Sequence, residues 1–181
     1  MNLKSLVSYF LKWIILAIII GVFSGLMSGL FLYSLELVTN FRAINPWIIG
    51  FLPFGGLVIG YGYHRFGRDV VKGNNLILEE YSSPQKKIPF RMAPMVLLGT
   101  LITHLFGGSA GREGTAIQMS ASVADQLTKR FSLDKEERKI ILICGISAGF
   151  ASVFGTPLAG AIFAIEVLFF SKINYIFLLK D

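Results

Sequence analysis

Gly107-Gly108-Ser109-Ala110-Gly111-Arg112-Glu113-Gly114-Thr115-Ala116-Ile117-Gln118 follows an uncharged run and leads into a small, weakly polar stretch that reaches Ala124. Flexible glycines run here into what reads as a helix start, so several backbone N–H groups point at one place. A helix N-terminus carries about half a positive charge together with unsatisfied donors, which makes it an anion site. Glu113 is the only acidic residue between Glu80 and Asp125. At membrane depth an ionisable group costs on the order of 2.5–3.5 kcal/mol on insertion scales, so Glu113 is a functional candidate. The plainer alternatives are a pair with Arg112 or a carboxylate capping the helix. A P-loop is excluded, because Thr115 stands where GxxxxGK[ST] needs lysine, and no GxGxxG fingerprint is present.

The surroundings of this stretch decide the fold class. Of 181 residues, 54% are hydrophobic and 15% charged, against about 25% charged in soluble domains. The charges are also bunched. Trp13–Leu35, Ala43–Tyr63, Met92–Gly111 and Ile140–Ile165 carry none, and each approaches the roughly 20 residues a membrane-spanning helix needs. A soluble domain, a disordered chain and a disulfide scaffold are excluded, and Cys144 reads as a buried small hydrophobe. The expected class is an all-α, polytopic integral membrane protein with tilted and broken helices, with residues 1–181 forming one transmembrane domain. The net charge of +6 lies in short segments between apolar runs, which fits a positive-inside bias rather than nucleic-acid binding. The first run is too long for a cleavable signal peptide.

Charge placement predicts the topology. Lys4 and Lys12 put the N-terminus in the cytoplasm of a multi-pass cell-membrane protein. Glu36, Thr39, Asn40 and Arg42 read as a thin outer loop. Arg65, Arg68, Lys72, Lys86, Lys87 and Arg91 bring the chain back inside, and Lys129, Arg130, Lys135, Arg138 and Lys139 do so again. Gly114 to about Phe131 must therefore cross, and about 27 Å of helix suffices. Breaks are expected at Gly107-Gly108, Gly111, Gly114 and within Gly155-Thr156-Pro157, with a separate last run from Leu168 to Leu179 carrying Lys172. Interrupted apolar helices point to a transporter's binding site.

Gly73-Asn74-Asn75-Leu76-Ile77 is a second junction. Its amides either close an Asx turn or cap a helix, or they donate together with backbone N–H groups to a dehydrated anion. The Gly21-xxx-Gly25-xxx-Gly29 spacing reads as a close helix-packing face. Trp13 and Trp47 read as interfacial anchors. His64 reads as interfacial and His104 as a hydrogen-bonded packing residue, with proton relay the other reading. Lys135–Arg138 reads as a solvated helix start capped by Asp134 or Ser132. No nucleophile–base pair or metal-ligand spacing appears, so an enzyme is not expected, nor a cofactor.

Residues 108–115 resemble the G-K/R-E-G-P motif of the CLC family of chloride channels and anion/proton antiporters. Gly73 to Ile77 resembles that family's G-S-G-I-P motif, and Phe154 to Gly160 resembles a further family stretch. The resemblance runs from about residue 13 to 170. It implies a homodimer with one anion pathway per subunit, built from inverted repeats, of which this chain resembles the first. It implies that Glu113 is the gate and proton carrier, and that Gly73, Asn74, Asn75, Leu76, Ile77, Gly111, Arg112, Gly114 and Thr115 bind the anion. Asn74 stands where the family has serine, and Ile77 and Thr115 where it has proline. These changes add an amide and backbone N–H groups. Val167, beside Glu166, stands where many exchangers carry an internal proton-transfer glutamate. The set resembles the fluoride/proton antiporter branch, and a small, strongly hydrated ion needs stronger donors. A chloride channel or chloride/proton exchanger of the same family is the alternative. From another class, a non-transporting membrane assembly fragment remains.

The resemblance also implies a second repeat, with a G-x-F-x-P motif, that this sequence does not contain. The chain is expected to be the N-terminal half of a transporter. Residues 1–181 alone are expected to enter the membrane but pass no anion, since unsatisfied backbone in lipid costs several kcal/mol per group.

Overall fold

The computed structural model describes residues 3–178, with side chains from 4 to 169. The expectations for Lys172 and for the last residues, Leu179 to Asp181, fall outside what is described. Seven α-helices follow one another among the described residues: α1 (Leu3–Ile44), α2 (Leu52–Phe66), α3 (Asn74–Ser82), α4 (Met92–Leu105), α5 (Arg112–Arg130), α6 (Lys135–Phe154) and α7 (Pro157–Leu178). A 3-10 turn, Pro46–Phe51, precedes α2. Lys4–Ile44 and Pro46–Phe66 are long and apolar enough to cross a membrane, and Met92–Leu105 and Pro157–Phe169 are shorter apolar helices.

Three boundaries differ from the charge-based reading. Glu36, Thr39, Asn40 and Arg42 are not a loop, because α1 continues through them to Ile44. Nothing in that stretch breaks a helix until Pro46, which pushes Asn45 out of the helical region (φ −122°, ψ 67°). Gly114 does not break the chain either; it is the third residue of α5. The interruption lies upstream, between Leu105 and Arg112, where Gly107 takes φ +84°. At the Gly155 break, α6 ends on a left-handed glycine (φ +68°) and Pro157 opens α7. Residues 157–178 then form one helix rather than the end of one span and the start of another.

The helices share two ends. At the first, Lys12 pairs with Glu137, Lys87 reaches Gln126 O, and Arg91 bonds Phe66 O and pairs with Asp69. At the other, Arg42 donates to His104 O (3.1 Å). The cations of the three basic segments thus collect at one end. α4 runs away from that end and α5 returns beside it, and α6 packs antiparallel on α5. A β-carbon at Gly145 would lie 2.9 Å from Ala121 Cα, and one at Gly149 would lie 2.7 Å from Ala116 O. Gly160 of α7 seats against Ser147 O and Ala151 in the same way. Close packing therefore uses Gly145, Gly149 and Gly160. Among the described residues, the expected stripe of Gly21, Gly25 and Gly29 has no neighbour within 4 Å of the β-carbon position; the serines between them turn inward instead. Ser24 bonds Ser120 and Ser28 bonds Ser152 (2.6 Å).

Candidate functional site: a cleft between two helix N-termini

α3 has nine residues, too few to be stable as an isolated helix, so its place is set by what it touches. The chain leaves α2 at the basic end, rises through residues 67–73, and turns back at Gly73 (φ +56°) into α3. A side chain is strained at that φ, and glycine is not. Gly73, Asn75 and Leu76 donate their N–H groups to Val70 O, Lys72 O and Gly73 O at 3.0–3.1 Å. The N–H of Asn74 has no backbone acceptor among the described residues.

α5 starts beside it. Arg112, Glu113 and Gly114 are its first residues, and their N–H groups have no acceptor inside the helix. Gly114 lies against α3, where a β-carbon would lie 3.1 Å from Asn74 Nδ2. Gln118, one turn further along α5, fills the same gap. Its amide lies 3.4 Å from a β-carbon placed on Gly73 and 3.9 Å from one on Gly114. The two side-chain amides have no hydrogen-bond partner among the described residues, and neither has the Glu113 carboxylate, whose Oε2 lies 3.4 Å from the β-carbon position of Gly111. Glu113 therefore neither pairs with Arg112 nor caps the helix. The structure brings Gly73, Asn74 and Gly114 together as expected, and adds Gln118; Gly111 and Glu113 stand at the same start of α5, with Glu113, like Asn74, exposed. The signal for Gln118 was in the sequence, since a residue four after Gly114 shares its helix face.

Other expected members lie apart. Arg112 lines a separate cavity of about 320 Å³ with Leu32, Glu36, Thr39 and Asn40 of α1. Asn75 is exposed, and Leu76 packs against the core. Ile77 is buried (1% exposed). Ile77 and Thr115 do not supply the free backbone donors expected of them. Each is the fourth residue of its helix, where the N–H closes the first helical turn. The Thr115 hydroxyl donates to Gly111 O (3.0 Å) and meets Thr100 Oγ1 at 2.7 Å, tying the start of α5 to α4. Thr100 stands five residues before the end of α4, which sets this level about 8 Å below that helix's end.

Beneath Asn74 lies a cavity of about 60 Å³ lined by Asn74, Ile77, Ile117, Ile146, Phe163 and Val167. Val167 faces it and Glu166 is exposed on α7. His104 bonds Thr100 O through Nδ1 (2.9 Å), a packing role, and His64 is exposed beside Arg68. Trp47 is exposed, but Trp13 packs against the α1–α5–α6 cluster.

The solvated reading of Lys135–Arg138 is corrected at its last residue. Asp134 does cap α6, in a reciprocal capping box with Glu137. Arg138 is buried, 6% exposed. Its Nε and Nη2 donate to Asp125 Oδ1 (2.7 Å) and Oδ2 (2.8 Å), Nη1 to Glu80 Oε2 (3.0 Å), and Nη2 also to Lys86 O (2.7 Å). Glu80 further accepts from Gln85 N and Lys86 N, and Asp125 from Ile88 N and Thr128 Oγ1. Nearby, burial pushes the Lys87 ammonium down from its ordinary value; Asp125 opposes this, and Lys129 and Arg138 add to it.

Residues 55–180 match the family model described as voltage gated chloride channel. The chain is 52% identical over 170 residues to a chloride/fluoride channel protein of Pseudomonas syringae pv. tomato, covering 94% of this chain and 38% of that one. It is 28% identical to the voltage-gated ClC-type chloride channel ClcB of Yersinia pestis, covering 92% and 42%. It superposes on a crystal structure of a CLC-type fluoride/proton antiporter with TM-score 0.83 and 36% identity, covering 93% of this chain and 42% of that one. The chain thus spans about two-fifths of the length of these relatives. The fold is the all-helical CLC membrane fold. With a glycine-framed glutamate at one helix start, an amide-bearing helix start against it, and a family match over more than half of its residues, the chain belongs to the voltage gated chloride channel family, CLC.

Proposed function

We propose that this chain supplies the first-repeat half of an anion pathway, in a protein that exchanges fluoride for protons across the cell membrane. One observation carries the reading. Two helix N-termini meet at Asn74 and Gly114, with the Asn74 and Gln118 amides at the gap and the exposed carboxylate of Glu113 on the neighbouring residue of α5; none of the three has a hydrogen-bond partner among the described residues. Amides and backbone N–H groups donate and a carboxylate only accepts, so an anion and the ionised Glu113 compete for the same donors. Protonation removes that competition and lets the side chain carry a proton as the anion enters. Fluoride is favoured over chloride because Asn74 places a strong donor where serine stands in the family motif, and a smaller anion gains more from it. The relative in Pseudomonas syringae and the superposed antiporter, both named for fluoride, support this choice.

The same proposal includes a cytoplasmic N-terminus, supported by the cations gathered at the Lys12–Glu137 end, and a homodimer as the working form. Chloride transport is the second reading, favoured by the word chloride in the names of two relatives. The test is reconstitution of the protein at its natural length into liposomes loaded with fluoride or chloride, recording anion and proton efflux together. Fluoride efflux coupled to proton uptake, with chloride far slower, supports the first reading. Equal rates for both ions favour the second.

A further inference from the structure

We infer that Arg138 is a positioning residue for this site: its guanidinium clasps the lower parts of α3 and α5 and so sets how closely Asn74 approaches Gly114. The inference deepens the proposed function, since it takes the Asn74–Gly114 gap to be the anion's place. α3 is short and has no side-chain cap at its start. Its buried Ile77 holds it by apolar contact, which is non-directional and permits sliding and rolling. Direction comes from Glu80, six residues after Asn74, or about 9 Å along the helix. Its carboxylate meets Arg138 Nη1 at 3.0 Å, and the side chains are 9% and 8% exposed. The same planar fork holds Asp125 of α5 through two parallel bonds, a geometry that fixes angle as well as distance. The loop after α3 is fastened to the same group through Lys86 O, and to Asp125 through Ile88 N. Both helices that present their N-termini to the cleft are therefore referenced to one cation on α6. A helix moves as a rigid rod over such lengths, so a shift at Glu80 is transmitted to Asn74.

Two measurements on the protein at its natural length test this. In a background with Cys144→Ala and every other native cysteine of the natural-length protein replaced, carrying Asn74→Cys and Gly114→Cys, mild oxidation should form a disulfide quickly with the clasp intact. Adding Glu80→Gln should slow it several-fold, and adding Arg138→Lys, which keeps the charge but loses the fork, should do the same. A merely structural role would lower thermal stability in these variants and leave the cross-linking rate alone, and an unchanged rate overturns the inference. The second measurement is a double-mutant cycle on fluoride-over-chloride selectivity. The effect of Asn74→Ala should shrink by about 2- to 10-fold in the Glu80→Gln background, as expected for coupled positions, whereas fully additive effects overturn the inference. A protein that cross-links as stated yet moves no fluoride refutes the proposed function and leaves the positioning role standing.

Discussion

Asn74 and Gly114 lie against each other across the gap between α3 and α5, so close that a methyl group on Gly114 would come within 3.1 Å of the Asn74 amide nitrogen. Glycine here keeps the gap open for the amide, and its φ is ordinary, so only the space is at stake. Gly114→Ala should leave the fold intact and favour α5 by up to about 1 kcal/mol in helix propensity. It should still weaken fluoride transport, because the amide must give way by a few tenths of an ångström. Thermal stability and fluoride efflux measured on the same preparation check this; a stable variant with normal efflux would show that the amide's place is not critical.

Gln118 makes a complementary test. Gln118→Leu keeps the size and removes the donors. A lost hydrogen bond to a charged partner costs about 1.5–3 kcal/mol, so fluoride affinity should fall roughly 10- to 150-fold. The fall should be smaller for chloride. Competition between the two ions in an efflux assay would register the difference.

Asn74→Ala should act in the same direction as Gln118→Leu. Measured as the ratio of fluoride to chloride rates, an equal loss for both ions would remove Asn74 from any selectivity role.

Packing between α5 and α6 should be the least forgiving part of the chain. A β-carbon at Gly149 meets Ala116 O at 2.7 Å and Ile117 Cα at 3.0 Å, both backbone atoms that cannot swing aside. Gly149→Val should destabilise the protein by at least about 1–3 kcal/mol. Gly25→Val, with open space around it in this chain, should cost far less if no other surface covers it. Melting temperatures of the two variants in one detergent give the comparison.

Arg138→Ala removes the cation that bonds both Glu80 and Asp125, which are buried. Breaking a buried ion pair costs roughly 3–5 kcal/mol, because the carboxylates left behind are uncompensated. The yield of monodisperse protein should drop accordingly, and substituting Glu80→Gln together with Arg138→Met should recover part of it.

How much of this was legible depends on whether the cause was local. The start of α5 was readable because its glycines and lone glutamate announce a helix end within a few residues, and α5 begins at Arg112. The true length of α1 was not, because Glu36 and Arg42 look like loop residues when charge alone is weighed, and a long helix carries them without strain. Gly21-xxx-Gly25 and Gly145-xxx-Gly149 are the same pattern in sequence. Only the fold says that the second meets Ala121 and Ala116 while the first meets nothing within 4 Å among the described residues. Arg138 was misread because its partners are 13 and 58 residues away, beyond any helical periodicity. The motif glycines and Asn74 were found, but not which of their backbone donors are spent. That follows from the turn at Gly73, where Asn75 and Leu76 are already bonded.

In the proposed exchange, the free carboxylate of Glu113 both blocks the anion's place and carries the exchanged proton. Glu113→Gln matches its shape and cannot release a proton at working pH. The decisive measurement is simultaneous fluoride and proton flux through this variant at its natural length, in liposomes. Fluoride should still cross while proton movement no longer accompanies it; fluoride and protons moving in the wild-type ratio would show that Glu113 is not the proton carrier.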